Sequence, residues 1–241
     1  MAPRLAFALP LLLTAVASAQ PHGIIFDTDF ILPPGDDGMA LLLALQSSEV
    51  EILGITTVAG NESLERGTSD VLRLLEIVGR ADIPVYRGAD MPLVHEKSDF
   101  AVSSYGKWWS DEPSPLNVSR KTKLTKKWYD EMVATETPIT ALLRETMGPR
   151  FKTEPERDWL MYDQVAMASL IDRTLVTTKE LYVDVDINHG INYGVSVGGT
   201  ELWPGAEGAK KMNVQYDLDW PRFIEMFVSR VRAPLRKSPG G

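Results

Sequence analysis

Strands and helices alternate between residues 23 and 86, and no other feature of the sequence constrains the fold as strongly. Short apolar segments at 23–26, 50–58 and 83–86 are typical of buried strands. Segment 39–45 has the composition of a helix, and segment 64–78 repeats apolar residues with a helical period. This order and spacing predict an α/β fold with a mostly parallel sheet flanked by helices.

The rest of the chain is predicted to be less regular. Residues 91–119 have no clear periodicity, and a stretch of that length without predicted structure is unusual in a compact domain. Beyond it we expect three helical segments: 126–143 with a break before Pro138, 158–175 with the helix opening at Met161-Tyr162-Asp163, and 220–231 with Asp219 as its cap. We also expect two strands, 181–187 and 211–216.

Composition excludes several classes of protein. The chain has 241 residues, 44% of them hydrophobic, and its 33 Asp and Glu outnumber its 25 Lys and Arg, for a formal net charge of −8. The apolar fraction is that of a globular protein, and the acidic excess argues against binding nucleic acid or anionic membranes. Because the chain has no Cys, disulfides, thiolate metal sites and thiol catalysis are excluded.

The N-terminus has the pattern of a secretory signal peptide. Arg4 precedes a stretch of about 12 apolar residues, and Ala17-Ser18-Ala19 follows as an A-x-A cleavage site. That stretch is shorter than the roughly 20 residues needed to span a bilayer. We therefore expect residues 1–19 to be removed after Ala19, the product to be secreted or periplasmic, and residues 20–241 to form the domain.

Four aspartates lie within eleven positions, at the end of the first predicted strand and in the loop after it: Asp27, Asp29, Asp36 and Asp37. Ligands bind at this edge of open α/β sheets. One of the last two is expected to cap the following helix, but capping does not account for the first two. Because crowded carboxylates repel one another unless a cation binds, we expect a metal site. Its all-oxygen ligands favour Ca²⁺ or Mg²⁺ over Zn²⁺.

Three segments together resemble the inosine–uridine nucleoside hydrolase family: FDTDFILPPGDDGMALLLAL, ILGITTVAGN and MYDQVAMASLIDRTLV. The family signature has a strand that ends in Asp-x-Asp, an Asp-Asp pair that leads into an Ala- and Leu-rich helix, and a second strand that ends in Gly-Asn. The resemblance extends from Ile24 to about Val231 and implies a single α/β domain. Taken alone, an apolar strand followed by Asp-x-Asp would also fit a haloacid-dehalogenase-like phosphatase, which is the weaker alternative.

The resemblance implies an enzyme, a nucleosidase that hydrolyses the N-glycosidic bond of a ribonucleoside to a free base and ribose. Asp29, Asp37 and Asp163 would hold a Ca²⁺ ion that binds the attacking water, and Asp29 would also accept the proton of that water. The implied partner is a small-molecule ribonucleoside, with no nucleic acid and no membrane. A homo-oligomer is compatible with the sequence.

Other residues of the implied site would bind the substrate or support the metal ligands. Asp36 would bind the ribose hydroxyls, and Asn61 would lie against the substrate and the metal-binding aspartates. Asp27 would act as a supporting residue behind them. Tyr162 stands where well-studied family members place a His that protonates the leaving base, so it is the second candidate catalytic residue beside Asp29, expected to stack on the base or to donate a hydrogen bond to it.

The sequence departs from the family pattern in its middle. Six residues, 30–35, separate Asp29 from Asp36 where the common family loop has three. The family's Gly-Pro-x-Thr-Asn, Met-Gly-Gly and Glu-Phe-Asn runs have no counterpart here. The segments that resemble the family before and after these runs meet near 113–116, which we call the join. We therefore expect the central part of the domain to be missing. A catalytically impaired or non-catalytic protein that binds metal or ribose is the alternative to an active enzyme.

Overall fold

The structure, a computed structural model, describes residues 20–91, 121–187 and 195–237. Its first sheet is parallel, with strand order β1-β2-β3. The strands are β1 (His22–Thr28), β2 (Val50–Thr57) and β3 (Val85–Arg87). They are joined by helices α1 (Asp36–Leu45) and α2 (Leu64–Ile77). This arrangement confirms the α/β fold expected from the alternating pattern. The predicted signal peptide, residues 1–19, and the join at 113–116 lie outside the described residues.

Helix α1 is the central element of the core. Every residue from Asp37 to Leu45 is buried, because α1 packs on β2 and also against two helices from the later part of the chain, 163–171 and 220–231. Helix α2 is amphipathic instead and buries one apolar face, which includes Val71, Leu74 and Leu75. It begins after Ser63, whose side chain accepts a hydrogen bond from the amide of Arg66.

The expected aspartate cap of α1 is wrong. Gly35 occupies the N-cap position, no side chain caps the helix, and Asp36 and Asp37 lie in the first turn. Both oxygens of Asp37 accept side-chain hydrogen bonds from outside the helix, one from Thr28 and one from Asn61, so this aspartate faces the end of β1 and the turn after β2. The sequence pattern placed the two aspartates at the correct end of the helix. It did not predict which groups donate hydrogen bonds to their carboxylates.

The later part of the described chain contributes five helices and an antiparallel sheet of strand order β5-β4-β6. The helices are α3 (Lys126–Met132), α4 (Pro138–Thr146), α5 (Gly148–Thr153), α6 (Asp163–Ile171) and α7 (Trp220–Val231). The strands are β4 (Val176–Val185), β5 (Ser196–Gly199) and β6 (Lys210–Leu218). The break before Pro138 and the Asp219 cap of the last helix are both present.

Helix α6 begins where the sequence pattern indicated, at the Met161-Tyr162-Asp163 opening. The residues before it are extended, because Trp159 pairs with Leu124 and the Met161 amide donates to Thr122 Oγ1 at 2.8 Å. The helix starts at Asp163, within the opening that the sequence predicted. Because α6 packs directly against α1, the first residue of α6, Asp163, lies beside the first turn of α1.

One face of the parallel sheet is exposed in the described part of the chain. Ile25, Leu53 and Tyr86 are 69%, 57% and 59% exposed, whereas Ile55 on the opposite face is fully buried. Parallel sheets normally carry helices on both faces. Within the described ranges, none of the helices is long and apolar enough to cross a lipid bilayer.

Candidate metal centre

Three carboxylates from two helix starts meet at one edge of the molecule. Asp36 and Asp37 come from the first turn of α1, and Asp163 is the first residue of α6. One ligand oxygen from each of the three lies within 4.8 Å of the other two. All three sit in first helical turns, where the helix dipole favours negative charge. The fold thus brings together the start of α1 and an aspartate from much later in the sequence.

The electrostatics of this cluster are those of crowded, partly desolvated acids. Burial, and then the charges of Asp36, Asp37 and Asp29, raise the pKa of Asp163 to about 7. Burial, and then the neighbouring charge of Asp37, raise the pKa of Asp36. The pKa of Asp37 is also raised by burial, although its hydrogen bond from Thr28 opposes the shift. A bound cation would relieve the repulsion. The oxygen-only donor set fits a hard divalent ion such as Ca²⁺ or Mg²⁺.

Asp37 is held at both carboxylate oxygens. Its Oδ1 accepts a 2.5 Å hydrogen bond from Thr28 Oγ1, and its Oδ2 accepts a 3.1 Å bond from Asn61 Nδ2. Asp37 is only 4% exposed and Thr28 only 6%. Thr28 was not among the residues expected at the site. Its position could have found it, because Thr28 stands between Asp27 and Asp29 at the carboxyl end of the predicted strand, the edge where ligands bind.

Asp29 lies next to the three-carboxylate group rather than within it. Its Oδ2 accepts a 2.7 Å hydrogen bond from the backbone amide of Asn61. The turn after β2 packs directly on Asp29, since a Cβ atom at Gly60 would lie 2.5 Å from the Asp29 Cβ. Glycine is therefore required there for the close approach. Through its charge, Asp29 raises the pKa of all three clustered aspartates.

The remaining two predicted residues lie outside the three-carboxylate group. Asp27 is exposed and accepts a 2.5 Å hydrogen bond from Thr56 Oγ1 on the neighbouring strand. Tyr162 is half-buried and occupies the N-cap position of α6, directly before Asp163, without a side-chain capping bond. The described structure therefore brings Asp29, Asn61 and Asp37 into direct contact. It places Tyr162 next to Asp163 and leaves Asp27 on the exposed side of β1.

Comparison with known proteins gives a consistent family. The family model described as inosine-uridine preferring nucleoside hydrolase matches residues 24–107 and 107–225. Uridine nucleosidase 1 of Arabidopsis thaliana is 39% identical over 113 residues, which are 46% of this chain and 32% of that protein. The pyrimidine-specific ribonucleoside hydrolase RihA of Photobacterium profundum is 48% identical over 73 residues, 30% of this chain and 23% of that protein.

The extent of these matches differs between sequence and structure. The chain spans between about a fifth and a third of the length of the curated relatives it matches. A solved structure described as a plant nucleoside hydrolase, the PpNRh1 enzyme, superposes with a TM-score of 0.70 at 18% identity, covering 89% of this chain and 100% of that one. At that identity the likeness concerns the fold alone. The family match favours the nucleoside hydrolase resemblance over the phosphatase alternative. The chain belongs to the inosine-uridine preferring nucleoside hydrolase family.

Proposed function

We propose that this protein hydrolyses the N-glycosidic bond of ribonucleosides, releasing a free base and ribose, with Ca²⁺ at the aspartate cluster. The observation that carries this proposal is the meeting of Asp36, Asp37 and Asp163 within 4.8 Å, beside Asp29, in a member of a nucleoside hydrolase family. Asp29, Asp37 and Asp163 are the proposed ligands. When bound, the ion would supply a positive charge that lowers the pKa of a water molecule.

Asp29 is the proposed acceptor of the proton from that water. Its Oδ2 accepts the Asn61 amide hydrogen, and Oδ1 is the proposed atom to receive the proton. The Asn61 bond and the backbone of Gly60 hold the carboxylate in place on that side. A direct attack of water at C1′ of the sugar would invert the configuration there.

The other residues of the site fit roles in binding the substrate. Asp36 is half-buried whereas Asp37 is buried, so Asp36 is the one of the pair that can reach ribose hydroxyls. Tyr162 is proposed to stack on the leaving base or to donate a hydrogen bond to it. The carboxylates together create a negative field, which would stabilise the positive charge that develops on the sugar in an oxocarbenium-like transition state.

A non-catalytic protein that binds metal or ribose is the second candidate. Two observations favour it. The chain matches only a short part of its curated relatives, and Tyr162 stands at the position where an acid is expected. An unperturbed tyrosine hydroxyl has a pKa near 10, so a tyrosine is a weak proton donor at neutral pH. In that case the aspartates would still bind a cation, but the sugar would not be cleaved.

Ribose release separates the two candidates. The purified chain is incubated with inosine, uridine and p-nitrophenyl riboside, with Ca²⁺ or with EDTA. We expect Ca²⁺-dependent release that is lost in Asp29→Asn and retained in Asp130→Asn, a control in an exposed ion pair with Lys126. Thermal stabilisation by Ca²⁺ without ribose release supports the second candidate. Release of phosphate from phosphoesters would contradict both.

We also propose that the protein is exported. The support is the arrangement of Arg4, the apolar stretch and Ala17-Ser18-Ala19 at the N-terminus. Expression in a host with an intact secretion pathway should yield a product whose N-terminal residue is Gln20. N-terminal sequencing of the cell-associated and exported fractions tests this, and an exported chain that still begins with Met1 would contradict it.

A further inference from the structure

The hydroxyl of Thr28 has a single described role, which is to bind a carboxylate of the metal centre. Thr28 is the last residue of β1 and is 6% exposed. Its Oγ1 donates to Asp37 Oδ1 at 2.5 Å. Its backbone is fixed by pairing with Thr57 of β2 and by the Val58 amide, which donates to the Thr28 carbonyl at 3.0 Å. The donor therefore projects from a rigid part of the sheet.

The hydrogen bonds to Asp37 also limit how its carboxylate can turn. Asn61 Nδ2 donates to Oδ2 at 3.1 Å while Thr28 Oγ1 donates to Oδ1, so rotation about the Cβ–Cγ bond would break both bonds. A carboxylate oxygen can accept more than one bond, so each oxygen keeps a lone pair for a cation. Because threonine is branched at Cβ, its hydroxyl also has few rotamers to choose from.

We propose that Thr28 is a positioning residue for the metal centre, holding Asp37 so that its remaining lone pairs face Asp36 and Asp163. This inference rests on the proposed Ca²⁺ site. Hydrogen-bond partners behind metal ligands typically change metal affinity by about 10- to 100-fold when they are removed. Thr28 would act through Asp37 and would contact neither the ion nor the substrate.

Thr57 offers a matched control because it is the register partner of Thr28 on the next strand. It is fully buried, and its Oγ1 lies 2.8 Å from Thr68 Oγ1. Thr57 Oγ1 also donates to the Tyr86 carbonyl at 3.5 Å, so the partners of this hydroxyl are another hydroxyl and a carbonyl. Thr57→Val therefore removes an equally buried hydroxyl whose partners are not carboxylates.

Calorimetric titration with Ca²⁺, together with urea unfolding of the metal-free protein, tests the proposal. Thr28→Val should weaken Ca²⁺ affinity about 10- to 100-fold, and Thr28→Ser, which keeps the donor, should stay within a few-fold of wild type. Thr57→Val should lower the stability of the metal-free protein but leave Ca²⁺ affinity unchanged. If Thr28→Val does not fold, Thr28→Ala against Thr28→Ser gives the same comparison without added apolar bulk.

The outcomes distinguish this inference from the proposed function. Wild-type affinity in Thr28→Val, or an equal loss of affinity in Thr57→Val, overturns the role of Thr28 while the metal site stands. Wild-type protein that binds no Ca²⁺ at millimolar concentration overturns the metal site, and the role of Thr28 with it. A loss confined to the variants without the Thr28 hydroxyl supports the inference.

Discussion

Asp37 and Asp163 come from the starts of two different helices, and their carboxylate oxygens lie within 4.8 Å of each other. The pKa of Asp163 is raised to about 7, chiefly by burial and then by the charges of Asp36, Asp37 and Asp29. A raised pKa in the folded state means that the protonated group stabilises the fold. That contribution is complete below the unfolded value of 3.8 and is lost as the pH rises through about 7.

The metal-free protein should therefore lose stability as the pH rises from about 4 to about 7. Asp163→Asn, which carries no charge, should flatten this dependence and make the metal-free protein more stable than wild type at pH 8. Urea unfolding in EDTA at several pH values measures both effects. Asp130→Asn, a change at a solvent-exposed ion pair, should keep the wild-type slope. An unchanged slope in Asp163→Asn would contradict the assignment.

Binding of Ca²⁺ should compete with the proton on the cluster. Since the pKa of Asp163 is about 7 in the metal-free protein, Ca²⁺ must displace a proton below that pH. The apparent affinity should then fall by up to about tenfold per pH unit below pH 7. Calorimetry in buffers of different ionisation enthalpy counts the protons released. Binding at pH 6 without proton release would be inconsistent with a ligand role for Asp163, and EDTA should reverse the stabilisation.

The sequence predicted the parts of this molecule that depend on local pattern. The order of β1, α1, β2, α2 and β3 follows from apolar periodicity, and the acids lie at the edge where such sheets bind ligands. The donors to each acid could not be predicted in the same way. Whether an aspartate in a first helical turn caps that helix or faces Thr28 depends on the angle between strand and helix, which residue spacing does not determine.

The second sheet was harder to predict for the same reason. The opening of α6 follows from the sequence, whereas the extended stretch before it depends on the pairing of Leu124 with Trp159, a contact between segments far apart in the chain. Residues 176–180 lie outside the predicted strand at 181–187, and four of the five are polar, yet they pair with β6. Backbone pairing between distant segments outweighs local propensity at these positions.

A second pH dependence comes from the ion pair between Glu49 and Arg230. Two hydrogen bonds of 2.7 and 2.8 Å join them, and the Arg230 guanidinium lowers the pKa of Glu49 to about 2. A lowered pKa means that the stabilisation is present above the unfolded value of 4.5 and is lost as the pH falls through about 2. Both side chains are partly exposed, so solvent screening limits the effect to about 1 kcal/mol or less.

Glu49→Gln should accordingly be less stable than wild type at pH 7, and the difference should shrink between about pH 4.5 and about pH 2. Urea unfolding across this range measures it. Glu51→Gln, two residues along on the exposed side of β2, is the control and should match wild type throughout. A deficit in Glu49→Gln that persists unchanged to pH 2 would show that the loss comes from packing rather than from the charge.

Gln164 should tolerate an apolar replacement better than other buried amides. Among the buried side-chain oxygen and nitrogen atoms of the described residues, Gln164 Oε1 is the one without a hydrogen-bond partner. An unpaired buried acceptor costs about 1–3 kcal/mol, so Gln164→Met should be neutral or stabilising in thermal unfolding. Gln215→Met, which removes a 2.7 Å bond to Ser169 Oγ, should destabilise. Equal losses in both variants would contradict this reading of Gln164.

The exposed face of the parallel sheet can be tested with a pair of substitutions on β2. Leu53 is 57% exposed, whereas Ile55, on the opposite face of the same strand, is fully buried against the helices. Leu53→Lys should change the free energy of unfolding by about 0.5 kcal/mol or less and should reduce binding of a hydrophobic dye. Ile55→Lys should cost more than about 4 kcal/mol, because it buries an unpaired charge. If Leu53→Lys proves as destabilising as Ile55→Lys, then this face is covered in the folded protein, as both faces of a parallel sheet normally are.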